Sequence, residues 1–151
     1  MAGLWFEDFK EGMVIEHAAR RTVTETDNMW FCNATLNTQP LHIDFDFASR
    51  TEFGQPIVNS VFTLGLMIGM GVSETTIGTT VGNLGMTDVH FPRPVFHGDT
   101  LHSRTTVKSK RESKSRPANG IVVFLHEAFN QNDDLVGSCI RTALMHKRPA
   151  A

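Results

Sequence analysis

The sequence predicts a single α+β domain in which an antiparallel sheet curls around one long helix. Two patterns indicate this class. Residues 59–73 are apolar at nearly every position, which is typical of a buried central helix, and long segments of alternating polarity follow them. The third observation is length, because 151 residues fit one domain with a substantial core. We therefore expect one domain over residues 1–151, without an internal linker.

The first part of the chain predicts one strand and two helices. The expected elements are, in order, a strand at Val14–Thr24, a helix at Asp27–Leu36 and a short helix at Phe45–Thr51. The hydroxyls of Thr24 or Thr26 can cap the first helix, and Asp44 can cap the second. Gln39-Pro40 should end the first helix, because the residue before a proline is disfavoured in the α region. The apolar stripe of that helix is expected at Met29, Trp30, Cys32, Asn33 and Leu36.

Residues 59–73 are the most unusual segment of the chain. They are apolar on nearly every helical face and contain Gly65, Gly69 and Gly71. A helix that is apolar all round is expected to be enclosed by protein. Each glycine costs about 1 kcal/mol relative to alanine, which is acceptable where another backbone approaches closely. We therefore expect this helix to be wrapped by the sheet.

The rest of the chain predicts four strands. They are expected at Thr79–Phe91, Thr100–Arg111, Ile121–Asn130 and Leu135–Lys147. In the second of these, residues 101, 103, 105 and 107 fall on one face. The polar turn at Asn130–Asp134 joins the last two strands.

Composition excludes several classes of protein. Fourteen basic residues against sixteen acidic ones leave no surface suited to nucleic acid. The longest apolar run, Val61–Val72, is shorter than the ~20 residues of a membrane span. No secretory signal is expected. Cys32 and Cys139 form no CxxC pair, and two such distant cysteines favour unpaired thiols in a cytoplasmic protein. Neither metal-site nor dinucleotide motifs occur, so we expect no metal.

His42 is the main candidate for chemistry. It lies five residues after Asn37, in a polar segment between two apolar ones. A neutral imidazole and a carboxamide can hold one water molecule between a base and an orienting group. Alternatively, Asn37 caps a helix end and His42 is an ordinary loop residue. The spacing alone leaves both interpretations open.

Residues 108–116 form a basic run with five cations and one acid. This run is either the solvated end of a hairpin or a binding site for a phosphorylated ligand. The candidate contacts are Lys108, Lys110, Arg111 and Arg116.

Two motifs resemble those of the MaoC-like (R)-specific enoyl-CoA hydratases. The first comprises Phe31, the run Thr35-Leu-Asn-Thr-Gln-Pro-Leu-His42, and Ala48, and it is similar to the hydratase signature. The second is Phe91-Pro-Arg-Pro-Val-Phe-His-Gly-Asp-Thr-Leu101. Between them, Phe53–Ile57 resembles the family's entry to its central helix. The resemblance covers about residues 10–149.

The resemblance implies a fold, an assembly and a reaction. The fold is the hot-dog fold, and the assembly is a homodimer or a larger assembly of dimers, with acyl-CoA bound where two subunits meet. The reaction is the reversible syn addition of water to a trans-2-enoyl-CoA. It requires neither a metal nor a redox cofactor, since the substrate itself carries coenzyme A.

The resemblance also implies roles for five residues. His42 acts as acid and base, and Asn37, at the position of the family's catalytic Asp, orients water because an amide is not a base near neutral pH. The backbone of Ser60, at the start of the central helix, stabilises the charge on the thioester oxygen. Gln39 and Asn59 supply polar contacts in the pocket.

The finer substrate assignment rests on three further segments. Asn83-Leu-Gly85, Asn130-Gln131 and Lys147-Arg-Pro149 look closest to the mesaconyl-CoA hydratase branch, whose substrates are short and branched and carry a carboxylate. Arg93 or Arg116 could pair with that carboxylate, or each could be a surface residue. Two other functions stay open: a hot-dog thioesterase, which needs a carboxylate aimed at the thioester carbon, and a non-catalytic acyl-CoA-binding subunit.

Overall fold

A computed structural model describes residues 3–149 as a five-stranded antiparallel sheet packed against one main helix. The strands are β1 (Val14–Thr22), β2 (Thr80–His90), β3 (Thr100–Glu112), β4 (Asn119–Phe129) and β5 (Leu135–His146). The helices are α1 (Glu25–Ala34), α2 (Pro40–Ile43), α3 (Phe45–Ser49), α4 (Ser60–Met70) and α5 (Val72–Thr75), with a 3₁₀ turn at Phe6–Asp8. The strand order across the sheet is β1-β3-β4-β5-β2.

The predicted α+β architecture is confirmed, with local differences at the helices. Thr24 caps α1, since its hydroxyl accepts the Asp27 N–H at 3.2 Å, and Asp44 caps α3 by accepting the Phe47 N–H at 2.9 Å. The prediction for Pro40 was incomplete: this residue does follow the end of α1, but it also begins α2. Proline is well suited to a first helical position because it lacks an N–H to satisfy.

The predicted apolar stripe of α1 is only partly correct, since Cys32 is buried as expected but Trp30 and Leu36 are exposed. The buried residues of this helix are Asn28 and Cys32, which lie one turn apart on the same face, whereas Trp30 is 67% exposed. Leu36 lies beyond the helix and is 86% exposed. The face of α1 that packs on the protein therefore carries the amide of Asn28, and the ring of Trp30 faces solvent.

The helix α4 packs on the sheet, but it is not enclosed as the sequence suggested. Met67 and Met70 lie in the core, whereas Val61 is 58% exposed, and Gly65 and Gly69 are also exposed. Of the three glycines in this segment, only Gly71, just after the helix, lies against another part of the chain. A Cβ at this position would overlap the His17 ring. The apolar outer face of α4 is thus left open in a single copy of the chain.

The core has two apolar clusters separated by a row of polar side chains. One cluster joins α4 to the ends of the strands that carry Leu101 and Ala128, and the other gathers around Phe9 and Phe124, whose ring centroids are 5.2 Å apart. Between them, the Thr105 hydroxyl lies 2.7 Å from His17 Nε2 and 2.9 Å from His126 Nδ1. All three polar residues are buried.

The strand β2 forms one edge of the sheet and is exposed along most of its length. Its exposed side chains include apolar ones at Val81, Leu84, Met86 and Val89. An uncovered apolar edge strand is a surface on which another chain can pair.

Candidate active site

His42 is the third residue of α2, and its ring is held by one backbone carbonyl. The ring Nδ1 lies 2.9 Å from the Ile57 carbonyl oxygen, and the Ile57 N–H donates to the Leu41 carbonyl at 3.2 Å. Because a carbonyl oxygen only accepts, Nδ1 must carry the proton and donate it. The neutral ring then keeps an unprotonated Nε2, which is the atom that can take a proton from water.

Asn37 lies in a turn whose backbone positions its amide. Its Oδ1 accepts the Gln39 N–H at 3.1 Å, so Nδ2 is the group left to contact a ligand. The preceding residue, Leu36, adopts a left-handed conformation with φ +55°. Asn37 lines a cavity of about 190 Å³ together with Asn59. The side chain of Gln39 is exposed and lines neither this cavity nor the larger one described below.

The amino end of α4 provides backbone donors beside this cavity. Asn59 is buried, and its Oδ1 accepts the Val61 N–H at 2.9 Å as the helix cap. The Ser60 N–H has no hydrogen-bond partner within residues 3–149. An unpaired N–H at a helix amino terminus favours negative charge, since the helix dipole adds to it.

A second, larger cavity of about 210 Å³ adjoins the same helix end. Its wall is mainly apolar, with Phe53, Ile57, Thr63 and Phe91 among the residues that form it. Ser60 and Arg93 also line it. The Arg93 guanidinium is 3.5 Å from the Asp134 carboxylate and is largely exposed. Asn59 thus lines the smaller cavity and Ser60 the larger one. His42 lines neither of the two and is connected to the larger one through the carbonyl of Ile57.

Asn28 is the residue of this region that sequence reasoning missed. It is fully buried on α1, and its amide Nδ2 donates to the His42 carbonyl at 3.0 Å and lies 3.1 Å from His97 Nε2. Burial lowers the pKa of His97, and the Glu25 carboxylate offsets part of that shift. The available signal was its position one helical turn before Cys32, because an asparagine on the same face as a buried residue needs partners for its amide.

The basic run lies at the other end of the sheet from His42. Lys110 is occupied within the fold, since its Nζ donates to the carbonyls of Phe6, Glu7 and Phe9 at 3.0, 3.2 and 2.7 Å. Arg111 donates to the Glu112 carbonyl at 3.4 Å. Lys108 is exposed, and Arg116 lines a separate cavity beside β2. Within one chain, these cations do not meet the candidate site.

The described residues contain no cluster of three or more side chains suited to hold a metal ion. Within residues 3–149, no helix is both long and apolar enough to span a membrane. Cys32 and Cys139 are buried free thiols, as expected.

The chain is similar to a known family of domains and to curated proteins. Residues 8–127 match the family described as MaoC like domain. Over 99% of its length the chain is 30% identical to a mesaconyl-CoA hydratase of Cereibacter sphaeroides, and over 97% it is 31% identical to a beta-methylmalyl-CoA dehydratase of Chloroflexus aurantiacus. The matches cover 43% and 41% of these relatives, so the chain spans about two fifths of their length.

A solved structure from Mycobacterium tuberculosis, described as a double hot-dog fold, has a TM-score of 0.88 against this chain. It shares 24% sequence identity, and the match covers 99% of this chain and 46% of that one. At this level of identity the likeness concerns the fold alone, and it confirms the hot-dog fold for this chain.

Proposed function

Since the chain belongs to the MaoC-like dehydratase family, we propose that it catalyses the reversible addition of water to a 2-enoyl-CoA. Membership of the family confirms the resemblance read from the two motifs. One observation carries the proposal: the Ile57 carbonyl holds the His42 ring through Nδ1, and Nε2 has no hydrogen-bond partner within residues 3–149. Ile57 itself forms part of an apolar cavity at the amino end of α4.

The reaction follows from these groups without a metal or a redox cofactor. His42 Nε2 takes a proton from water while the water oxygen bonds to Cβ of the enoyl group. The thioester oxygen gains negative charge, which the Ser60 N–H stabilises at the helix end. The proton held by His42 then moves to Cα, and the enolate returns to a thioester. Asn37 Nδ2 donates to the attacking water and so orients it.

The dimensions of the larger cavity favour a short acyl group. About 210 Å³ of mainly apolar volume suits a branched chain of a few carbons. Arg93 lines this cavity with a largely exposed guanidinium, where it can bind a carboxylate on the acyl chain. We therefore favour a short dicarboxylic substrate of the mesaconyl-CoA kind, in the reducing cytoplasm that the two free thiols suit.

We also propose that two copies pair through their β2 edges. A two-fold axis would make the paired edges antiparallel, so the His90 end of one strand would lie beside the Thr80 end of the other. The cavity that includes Arg116 and Val81 in the second copy would then approach the cavity that includes Phe91 and Arg93 in the first. That placement would supply cations for the phosphates of coenzyme A.

The test is hydration of mesaconyl-CoA and crotonyl-CoA by the wild type and by His42→Ala. We expect the variant to lose about 10²–10⁴-fold in kcat, the usual contribution of a general acid–base group. Full activity in His42→Ala would refute the assignment of this residue. Release of free CoA would identify a thioesterase instead, although the residues lining the two cavities include no carboxylate.

Asn37 provides the observation that favours the second candidate, an acyl-CoA-binding subunit without turnover. An amide where the family has a carboxylate removes one possible base. That candidate predicts thermal stabilisation by acyl-CoA with no hydration, and the same result for wild type and His42→Ala. Under the hydratase proposal, Asn37→Asp keeps a group that can orient water and retains measurable turnover.

A further inference from the structure

We propose that Asn28 is a positioning residue that fixes His42 relative to the amino end of α4; the proposal rests on the hydratase function above. Asn28 belongs to α1, an element from which no catalytic group comes. Its side chain is fully buried, and its contacts extend to segments 14 to 69 residues away along the sequence.

The backbone determines which way the Asn28 amide points. Its Oδ1 accepts the Asn59 N–H at 2.9 Å, and a backbone N–H can only donate. Its Nδ2 therefore faces the opposite side, where it donates to the His42 carbonyl at 3.0 Å and lies 3.3 Å from the Ile57 carbonyl oxygen. One amide thus joins α1 to two other backbone segments, one at His42 and one at residues 57–59.

The segment at residues 57–59 connects the two groups of the proposed chemistry. The Ile57 carbonyl is the acceptor for His42 Nδ1, so the segment that Asn28 holds also sets the ring and its tautomer. The Asn59 N–H that Asn28 accepts is one residue before the free N–H of Ser60. The separation of the base from the oxyanion donor therefore depends on Asn28. A displacement of about 1 Å in such an arrangement can cost about 10²-fold in rate.

A further contact joins the second sequence motif to the first. The Asn28 Nδ2 lies 3.1 Å from Nε2 of His97, which belongs to the motif at residues 91–101. The two hydrogens on Nδ2 go to its two shortest contacts, the His42 carbonyl and His97 Nε2, so His97 accepts and carries its own proton on Nδ1. Burial lowers the pKa of His97, which keeps the ring neutral and able to accept at neutral pH.

A second buried asparagine provides a matched control. Asn119 begins β4, and its Nδ2 lies 3.3 Å from His146 Nδ1 at the opposite end of the sheet. Replacing it with alanine removes a buried amide of the same kind without touching His42, Ile57 or Asn59. Both variants should therefore lose stability, and only Asn28→Ala should also lose the alignment of His42.

The experiment compares Asn28→Ala with Asn119→Ala in hydration of crotonyl-CoA. We expect kcat to fall about 10²-fold in Asn28→Ala with KM changed less than about threefold, because the ligand cavities remain while the alignment is lost. Asn119→Ala should keep kcat within about threefold. Equal kcat in both variants would overturn the inference. If Asn28→Ala does not fold, Asn28→Asp takes its place: it keeps the volume and the acceptor for Asn59 but loses the two amide hydrogens.

The ring tautomer of His42 gives a readout that does not require turnover. By ¹⁵N NMR, we expect a single tautomer protonated on Nδ1 in the wild type and in Asn119→Ala, and a mixture in the Asn28 variant. An inactive wild type that shows this difference would refute the hydratase proposal and leave the positioning role standing. A lower kcat with an unchanged tautomer would contradict the positioning role, because the loss would not pass through His42.

Discussion

Leu36 shows how one residue shapes the turn that presents Asn37. Its φ of +55° is a left-handed conformation, which costs a residue with a Cβ about 1–2 kcal/mol. Its side chain is 86% exposed and recovers little of that cost by packing. Glycine would adopt the same conformation without strain, because it has no Cβ.

Changing Leu36 tests this cost directly. We expect Leu36→Gly to be more stable to urea than Leu36→Ala by about 1 kcal/mol, because both lose the side chain but only glycine removes the Cβ strain. Urea denaturation of the two variants measures the difference. Equal stability would show that the turn relaxes at no cost.

His126 makes stability depend on pH. Burial, together with the nearby Arg141 guanidinium and the His17 ring, lowers the pKa of His126 to about 3. The unfolded state therefore binds a proton below a pH of about 6.5 while the folded state does not, so stability falls as the pH drops through this window and levels off near 3. Between pH 7 and 5 the expected loss from this residue is about 2 kcal/mol.

A variant isolates the contribution of His126. His126→Asn removes the titrating ring, so its unfolding free energy should change by about 2 kcal/mol less between pH 7 and pH 5 than that of the wild type. Chemical denaturation at the two pH values provides the comparison. The same change in both proteins would assign the pH dependence to other groups.

The helix α4 shows what a sequence pattern can and cannot predict at the level of an element. Its apolar composition predicted a central helix, and the helix is there at Ser60–Met70. The same composition suggested enclosure, which is wrong for a single copy because Val61 and the glycines at 65 and 69 face outwards. Hydrophobicity shows that a face avoids water, but it does not say which chain covers it.

In the candidate site, too, features that depend on local sequence could be predicted, whereas features that depend on long-range contacts could not. His42 and Asn37 were identifiable as candidates from motif and spacing, which are local properties of the sequence, and their catalytic roles stay predictions. Asn28 was not, because its role arises from contacts with Ile57 and Asn59, about thirty residues further along the chain. The short helix α2 was also missed, since Pro40 signals the end of one helix and the start of another equally well.

The cap of α4 can be tested as a property of this element. Asn59→Ala loses the side-chain bond to the Val61 N–H, and we expect the free energy of unfolding to fall by about 1 kcal/mol. Asn59→Ser, which retains a capping oxygen, should recover most of that loss in a denaturation experiment. If the serine variant is as unstable as the alanine one, the cap is not the source of the effect.

The open β2 edge and the open face of α4 are apolar surfaces that a second copy of the chain can cover. We expect a dimer in solution that Leu84→Lys disrupts, because a charge placed on an apolar edge opposes strand pairing. Val14→Lys, on the other edge strand, is the control, since both side chains are 54% exposed. Sedimentation velocity should give a monomer for the first variant only. Two dimeric variants would place the interface elsewhere.

Hydration of crotonyl-CoA in D₂O, with the product examined by NMR, tests the hydratase function without relying on any stability measurement. We predict 3-hydroxybutyryl-CoA in which the deuteron on Cα and the oxygen on Cβ were added to the same face, formed by the wild type and not by His42→Ala. An absence of hydrated product from the wild type, or the same product formed at the same rate without the imidazole, would contradict the account.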